Sequence, residues 1–310
     1  MREILHDLFQ MPDSAGSGGQ AGLEKTQAIL DTFWGKIQDK KLPVARDQAD
    51  RFAKSMLEKN PPNGFLDRLL NVIHYFDKEV FHEDIKGLTE KVREAIGDKP
   101  YAVHCYGFYQ TSGPWVFGQL LNDISEDGKQ LHSPVGVYAY NTRPNVPPEG
   151  FIPVNPLENP IKQLDPKIVL LLPDDLIISG QHVMSLLGDE EDREIHPPTI
   201  IAALYISEEA KKLLETIYKN MRIVCQKVIP RVGRGLSAAD FLFIKNLYKD
   251  KWNKPLDEAD AAWISPITAQ IIYYGKIPDN TFFFLYEGEN PLFLPKDFRS
   301  PYKSVQPDAE

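Results

Sequence analysis

The sequence predicts an α/β protein, with a mostly parallel sheet flanked by helices and a helical region in front of it. From about residue 100 onward, short apolar runs typical of strands alternate with helical patterns, the order that produces parallel sheets. Two of these runs, Ile168–Leu172 and Thr199–Tyr205, are almost entirely apolar, as expected of strands covered on both faces. Between Leu23 and Ile96, apolar residues instead recur at the spacing of an α-helix.

Length and charge set the first limits on function. With 310 residues, the chain is long enough for about two domains. Its net charge of −9 repels a phosphate backbone, so we do not expect direct nucleic-acid binding. No apolar run is long enough to span a membrane, and the first residues lack the basic start and apolar core of a signal peptide. Cys105 and Cys225 lie in apolar runs typical of reduced core thiols, so we expect a cytoplasmic protein.

Residues 1–97 are predicted to form a helical N-terminal region. Within it, the Gly- and Ser-rich stretch at 14–22 is typical of a flexible linker. Helices are expected from Leu23 to Ile96, with a turn at Asn60–Gly64. An α/β domain is assigned to residues 98–296, and a polar tail to residues 297–310.

Strands and helices alternate along the predicted α/β domain. Strands are predicted at residues 101–107, 135–140, 168–172, 199–205, 223–229 and 281–286. Helices are predicted at residues 114–121, 181–187, 208–220 and 236–275. Residues 143–166 are rich in proline and show little periodicity, so they are predicted to form a long loop of the kind that serves as a lid or binding segment.

The segment with the clearest chemistry follows the predicted strand that ends at Leu172. Two adjacent carboxylates, Asp174 and Asp175, come next, at the strand end where open α/β sheets bind ligands. The residues after them are predicted to form a phosphate-binding loop that consists of Leu176, Ile177, Ile178, Ser179 and Gly180. Such a loop leads into a helix whose unpaired N–H groups and dipole attract phosphate. Carboxylates beside a phosphate suit hydroxyl groups or a hydrated Mg²⁺, so the segment predicts a ribose 5-phosphate site.

Each of these features also has a purely structural interpretation. The Asp174–Asp175 pair also suits capping of a turn and the following helix, but the Ser179-Gly180 after it and the order of the strands favour the phosphate site. The residues Gln110–Gly113 are typical of a plain turn before a helix.

The stretch Asp174-Asp175-x-x-x-Ser179-Gly180, after an aliphatic strand, resembles the phosphoribosyl-pyrophosphate loop of type I phosphoribosyltransferases. The order of elements in front of it is also similar, with an earlier strand followed by the small loop Gln110–Gly113 where that family binds pyrophosphate. The C-terminal motifs Pro278-Asp279-Asn280-Thr281 and Pro291-Leu292-Phe293 resemble the ending of a phosphoribosyltransferase-like subfamily associated with bacterial conflict and defence systems, including retron-type ones.

The resemblance implies a role for each matched residue. Asp174 and Asp175 would contact the ribose hydroxyls and, through the ligand, its Mg²⁺ ion, while the loop 176–180 would hold the 5-phosphate. Thr111, Ser112 and Gly113 would meet the pyrophosphate. The implied function is binding of phosphoribosyl pyrophosphate or a related ribose-phosphate nucleotide by a pentosyl-transferring enzyme, in a bacterial defence effector.

Two departures from the family pattern favour an alternative function for a protein of the same fold. The loop ends Ser179-Gly180-Gln181-His182 and so lacks the last hydroxyl of the usual Thr-Gly-x-Thr, and the predicted pyrophosphate loop contains no Lys or Arg. With fewer phosphate donors, the chain is also interpreted as a catalytically inactive module that senses a nucleotide and acts on a protein partner through its helical N-terminal region. A scaffold with a vestigial site is a third interpretation.

Overall fold

The structure, a computed structural model, describes residues 18–106, 112–122, 131–140, 152–154, 165–187, 197–218, 220–230, 235–252, 270–273 and 281–294. These ranges contain a six-stranded sheet, a separate pair of strands, and helices on both sides of the larger sheet. Every strand pairing in them is parallel. The predicted α/β class, with a mostly parallel sheet and flanking helices, is therefore confirmed.

The strands and helices are numbered in chain order. The strands are β1 (Ile73–Phe76), β2 (Tyr101–Tyr106), β3 (Gly136–Tyr140), β4 (Ile152–Val154), β5 (Val169–Ile177), β6 (Thr199–Ser207), β7 (Met221–Ile229) and β8 (Gln270–Tyr273). The helices are α1 (Gly18–Asp39), α2 (Arg46–Leu57), α3 (Phe65–Val72), α4 (Lys78–Ile96), α5 (Ser112–Asn122), α6 (Gln181–Leu187), α7 (Glu208–Ile217) and α8 (Ala238–Trp252). A short 3₁₀ helix covers Phe283–Leu285.

The larger sheet has the strand order β4-β3-β2-β5-β6-β7, and its central strands β5 and β6 are covered on both faces. On one face, side chains of β2, β5 and β6 share an apolar core with α4 and α5. On the other face, side chains of β5 and β6 share one with α6 and α7. Strand β6 is buried along its whole length, which explains why its sequence is so apolar.

A further apolar core joins the N-terminal helices to the C-terminal part of the chain. It contains Leu30 and Phe33 of α1, Phe52 of α2, and Phe282 and Phe293 near the C-terminus, all of them buried. The aromatic run at 281–286 and the Pro291-Leu292-Phe293 motif therefore contribute to a hydrophobic core. Burial of large aromatic side chains contributes strongly to the stability of a core.

Two polar contacts fix this arrangement across long distances in sequence. The Arg68 guanidinium donates two hydrogen bonds of 2.7 Å to the carboxylate of Asp240, which is fully buried. The Gln48 amide donates to the backbone carbonyl of Leu292 at 2.8 Å. Because a buried carboxylate is costly without partners, the two-bond contact from Arg68 is needed where α8 meets α3.

The prediction of helices between Leu23 and Ile96 is wrong at Ile73–Phe76. Helix α3 ends at Val72, and Ile73–Phe76 form strand β1, which pairs with β8. Residues 270–273 were likewise predicted to be helical and are the partner strand. Neither segment shows a strand pattern alone, because a two-stranded pair is stabilised by the partner and the core beneath it.

Three other predictions differ from the structure. The predicted linker at 14–22 is corrected in part, because α1 begins at Gly18, while residues 14–17 lie outside the described residues. The loop predicted at 143–166 contains the short strand β4. The strand predicted at 281–286 is a 3₁₀ turn, since its aromatic side chains fill a core on more than one side and do not alternate across a sheet.

The boundary predicted at residue 97 remains a prediction. Helix α4 precedes it in sequence and packs on the larger sheet, whereas α1, α2 and α3 belong to the core shared with the C-terminal segment. The residues 297–310 of the predicted tail lie outside the described residues.

Candidate functional site

The strand order places a topological switch point between β2 and β5. From β2 the chain adds β3 and β4 on one side, and from β5 it adds β6 and β7 on the other side. In open parallel sheets, ligands bind outside the carboxyl ends of the two strands at which the order reverses. The candidate site is therefore the crevice at the carboxyl ends of β2 and β5.

The two strands of the switch point separate towards this crevice. Strands β2 and β5 pair only from Tyr101↔Val169 to Val103↔Leu171, although β2 runs to Tyr106 and β5 runs to Ile177. Over the same stretch, β2 remains paired with β3, and β5 remains paired with β6. Each strand keeps its outer neighbour while the space between the two opens.

The two predicted carboxylates lie within strand β5 and not in a loop after it. Because β5 continues to Ile177, Leu176 and Ile177 are strand residues as well, and their prediction as loop is corrected. Asp174 is half-buried, whereas only 1% of Asp175 is exposed. Burial, and after it the Asp174 carboxylate, raises the pKa of the Cys105 thiol.

An irregularity in the sheet accompanies the two carboxylates. The ladder pairs Asp174 with Ala203 and Leu176 with Tyr205, but skips the pair between them. The Asp175 backbone N–H donates to the Asp174 carboxylate at 2.9 Å. The ladder between β6 and β7 skips its pair at the same level of the sheet.

The skipped row changes the side of the sheet on which side chains lie. The consecutive residues Leu204 and Tyr205 both join the core on the α4 face, although neighbouring residues of a regular strand point to opposite faces. The register is the same before and after this row, so no strand has an extra residue relative to its neighbour. We call the row of Asp175, Leu204 and Gln226 the irregular row, and it lies in the strand ends where the sequence places its acids.

A tight turn of three residues connects β5 to α6. The Ser179 hydroxyl accepts a hydrogen bond from the Gln181 backbone N–H at 3.3 Å, so it caps the next helix. Gly180 has φ of +78°, and a Cβ there would lie 3.3 Å from Leu214 of α7, which explains why glycine is needed. The Ser207 hydroxyl donates to the Ile178 carbonyl at 2.6 Å and ties the turn to the end of β6.

His104 of β2 is a polar side chain in an apolar setting. Only 2% of it is exposed, and neither ring nitrogen has a hydrogen-bond partner among the described residues. Burial lowers the pKa of this imidazole to about 4, so the ring is neutral at pH 7. A buried unsatisfied group costs stability, and one beside a ligand crevice is a candidate binding residue. The sequence shows no signal that distinguishes it from an ordinary core histidine.

The predicted pyrophosphate loop is described only in part. Thr111 lies outside the described residues. Ser112 and Gly113 are the first residues of helix α5, which was predicted to begin at Pro114. Helix α5 packs along β5, so its first turn follows the carboxyl end of β2 on the β5 side of the switch point.

The described residues set limits on metal and membrane binding. Across the described ranges, no group of three or more His, Cys, Asp or Glu side chains is arranged to hold a metal ion. None of the described helices is both long and apolar enough to cross a membrane.

Comparison with known proteins gives structural likenesses at low sequence identity. The chain is similar to a hypothetical protein from Neisseria gonorrhoeae solved with bound ppGpp, with a TM-score of 0.34 and 21% identity, over 51% of this chain and 84% of that one. It is also similar to a xanthine-guanine-hypoxanthine phosphoribosyltransferase from Helicobacter pylori, with a TM-score of 0.26 and 19% identity, over 45% of this chain and 79% of that one. No protein-family model and no curated protein matches the chain. Neither likeness assigns a ligand or an activity to this chain.

Proposed function

We propose that the chain binds a phosphorylated ribose ligand, either phosphoribosyl pyrophosphate or a related ribose-phosphate nucleotide, in the crevice between β2 and β5. The observation that carries this proposal is the position of Asp174, a half-buried carboxylate in β5 at the topological switch point of a parallel sheet. An ionised carboxylate only accepts hydrogen bonds, and the paired hydroxyls of a ribose are suitable donors. The sequence resemblance to the phosphoribosyl-pyrophosphate loop supports the same ligand.

The phosphate groups would be held by backbone N–H groups. Helix α5 is 11 residues long and contacts both β2 and β5, and its first turn, with Ser112 and Gly113, would face the crevice. The free N–H groups and the dipole of such a turn attract the pyrophosphate part of the ligand. The turn Ile178–Gly180 would face the 5-phosphate.

The carboxylate of Asp174 also fits a Mg²⁺ ion that arrives with the ligand. Mg²⁺ commonly takes one or two protein carboxylates and completes its shell with water and substrate phosphates. Asp174 is accessible enough for this contact, whereas Asp175 is buried and supports the site from behind. When bound, the ion would neutralise charge on the pyrophosphate, while Asp174 orients the ribose.

In the enzyme form of the proposal, the chain transfers the phosphoribosyl group to an acceptor and releases pyrophosphate. Its residues would act by holding the ribose and the pyrophosphate in place and stabilising developing charge, because no nucleophile is needed. A role as a bacterial defence effector belongs to the same proposal and rests on the sequence resemblance alone. A cytoplasmic location fits these ligands.

One observation favours the alternative, a sensing module without catalysis that binds a protein partner. The turn after β5 is short, the Ser179 hydroxyl already accepts the Gln181 N–H, and α6 has only seven residues. Fewer groups remain for the 5-phosphate than in a loop of five free residues. The same ligand would then bind without transfer of its ribosyl group.

Calorimetry with phosphoribosyl pyrophosphate and Mg²⁺ tests the proposal. The Asp174→Asn variant is expected to bind at least tenfold more weakly than the wild type, which corresponds to about 1.4 kcal/mol. Asp165→Asn is the matched control, because Asp165 caps an exposed turn just before β5, at the opposite end of the strand. The proposal is wrong if the folded wild type does not bind, or if Asp174→Asn binds as well as the control.

A second assay separates the enzyme from the sensor. Pyrophosphate release is measured with the wild type in water alone and with a panel of purine and pyrimidine bases. Release that the Asp174→Asn variant lacks supports the enzyme. Tight binding without release in any condition supports the sensor.

A further inference from the structure

A cluster of buried charged and hydroxyl groups lies on the α4 face of the sheet, away from the crevice. Asp84 of α4 is 4% exposed, and Tyr205 of β6 is fully buried. The Tyr205 hydroxyl donates to Asp84 Oδ2 at 2.8 Å, and the Lys227 ammonium of β7 lies 2.5 Å from the same oxygen. We call these three residues the Asp84 cluster.

Aromatic rings shield the Asp84 cluster from water. The Phe76 ring stacks on the Tyr205 ring, with centroids 4.4 Å apart and an angle of 14° between the planes. The Lys227 ammonium lies 4.5 Å from the centroid of the Phe76 ring. A cation held between a carboxylate and an aromatic face keeps a defined position, since both contacts are electrostatic. The Lys227 side chain is 34% exposed, whereas that of Asp84 is 6% exposed.

The Asp84 cluster adjoins the irregular row of the sheet. Tyr205 pairs with Leu176 on one side and with Lys227 on the other, in the row directly after the pair that the ladder skips. Burial, followed by the Asp84 and Asp175 carboxylates, raises the pKa of Tyr205.

A chain of contacts therefore runs from α4 to the candidate site. Asp84 fixes the Tyr205 side chain, Tyr205 holds the Leu176 backbone through the ladder, and Leu176 follows the two carboxylates directly in sequence. A strand end with a row missing from its ladder has fewer ladder contacts than a regular one, so side-chain anchors matter more there.

We propose that the Asp84 cluster is a positioning device for the ligand site, in which Tyr205 holds the strand end from Asp174 to Gly180 in the geometry that binds the ligand. The ligand readout below rests on the proposed function, whereas the exchange readout does not. Asp84, Tyr205 and Lys227 are positioning residues in this proposal, because none of them needs to touch the ligand.

Hydrogen–deuterium exchange of the Tyr205→Phe variant is the first test. Loss of the hydroxyl should speed exchange of the backbone amides of residues 174–180 at least fivefold. The matched control is Tyr101→Phe, since Tyr101 is also fully buried and its hydroxyl donates to the His132 carbonyl at the amino end of the sheet. The control should leave residues 174–180 unchanged. Equal exchange in the two variants at residues 174–180 would overturn the proposal, whether or not any ligand binds.

Ligand affinity is the second test. For a wild type that binds phosphoribosyl pyrophosphate, Tyr205→Phe should raise the Kd at least fivefold and Tyr101→Phe should not. Lys227→Met tests the cluster through a residue that is one-third exposed and easier to replace, and it should have the same effect on exchange and affinity. An unchanged Kd in both cluster variants refutes the positioning role. A wild type that does not bind the ligand refutes the proposed function, and the hydrogen–deuterium exchange experiment then tests the positioning role by itself.

Discussion

The buried imidazole of His104 makes a quantitative prediction about stability and pH. Burial lowers its pKa from the usual 6.5 to about 4, so the folded protein binds fewer protons than the unfolded chain between these values. The contribution of the neutral His104 imidazole to the free energy of unfolding is therefore fully present above pH 6.5 and is lost as the pH falls towards 4. A shift of one pKa unit corresponds to about 1.36 kcal/mol, so the full loss is about 3 kcal/mol, of which about 2 kcal/mol appears between pH 7 and pH 5.

The substitution His104→Leu isolates this effect from all other titrating groups. The free energy of unfolding of the variant, relative to the wild type, should rise by about 2 kcal/mol between pH 7 and pH 5. At pH 7 the variant should be at least as stable as the wild type, because an apolar side chain removes a buried group without partners, worth about 1 kcal/mol. Urea unfolding at a series of pH values, followed by circular dichroism, measures both quantities.

A histidine on the surface provides the control for this experiment. His82 is exposed at the start of α4, and His82→Gln is the surface variant against which His104→Leu is compared. If His104→Leu shows the same loss between pH 7 and pH 5 as the wild type, the imidazole is not held neutral by burial and the reasoning is wrong. A ligand-binding role for His104 predicts in addition that His104→Leu weakens the ligand while stabilising the protein.

Three further predictions concern stability, each measured by urea unfolding. Gly180→Ala should lower the free energy of unfolding by about 1–2 kcal/mol, because an L-residue is strained at φ of +78° and its Cβ meets Leu214. An unchanged unfolding midpoint would contradict this. Arg68→Met should lower the free energy of unfolding by about 3 kcal/mol, since it leaves the Asp240 carboxylate buried without its cation. A decrease below about 1 kcal/mol would show that the ion pair is dispensable. Gln48→Ala should lower the free energy of unfolding by about 1 kcal/mol, because the hydrogen bond to the C-terminal segment is lost. An unchanged value would mean that water replaces this hydrogen bond.

The sequence determined most of the regular elements of the larger sheet. Strands near residues 101–106, 169–172, 199–205 and 223–229 were predicted and are confirmed. For β5 and β6 the reason is that a strand buried on both faces needs a local run of apolar residues. The sequence also singled out the segment around Asp174, since two adjacent acids directly after such a run are unusual. The roles of the predicted site residues remain a proposal.

Only the tertiary structure decided the geometry of the candidate site. The extension of β5 through Asp174 and Asp175 depends on the neighbouring strand β6, whose ladder holds these acids in an extended conformation against their own preference for turns. The irregular row, the burial of Asp175 and the contact of Tyr205 with Asp84 join residues far apart in sequence. A local pattern cannot specify them, because each depends on which strands become neighbours.

The same reasoning applies to the N-terminal and C-terminal parts of the chain. The helical pattern from Leu23 onward predicted helices but not their partner, which is the aromatic segment near Phe282 and Phe293. Strand β1 was missed because its four residues form a strand only beside β8, almost 200 residues later. Apolar periodicity shows which side chains will be buried, whereas the fold decides which other side chains they are buried against.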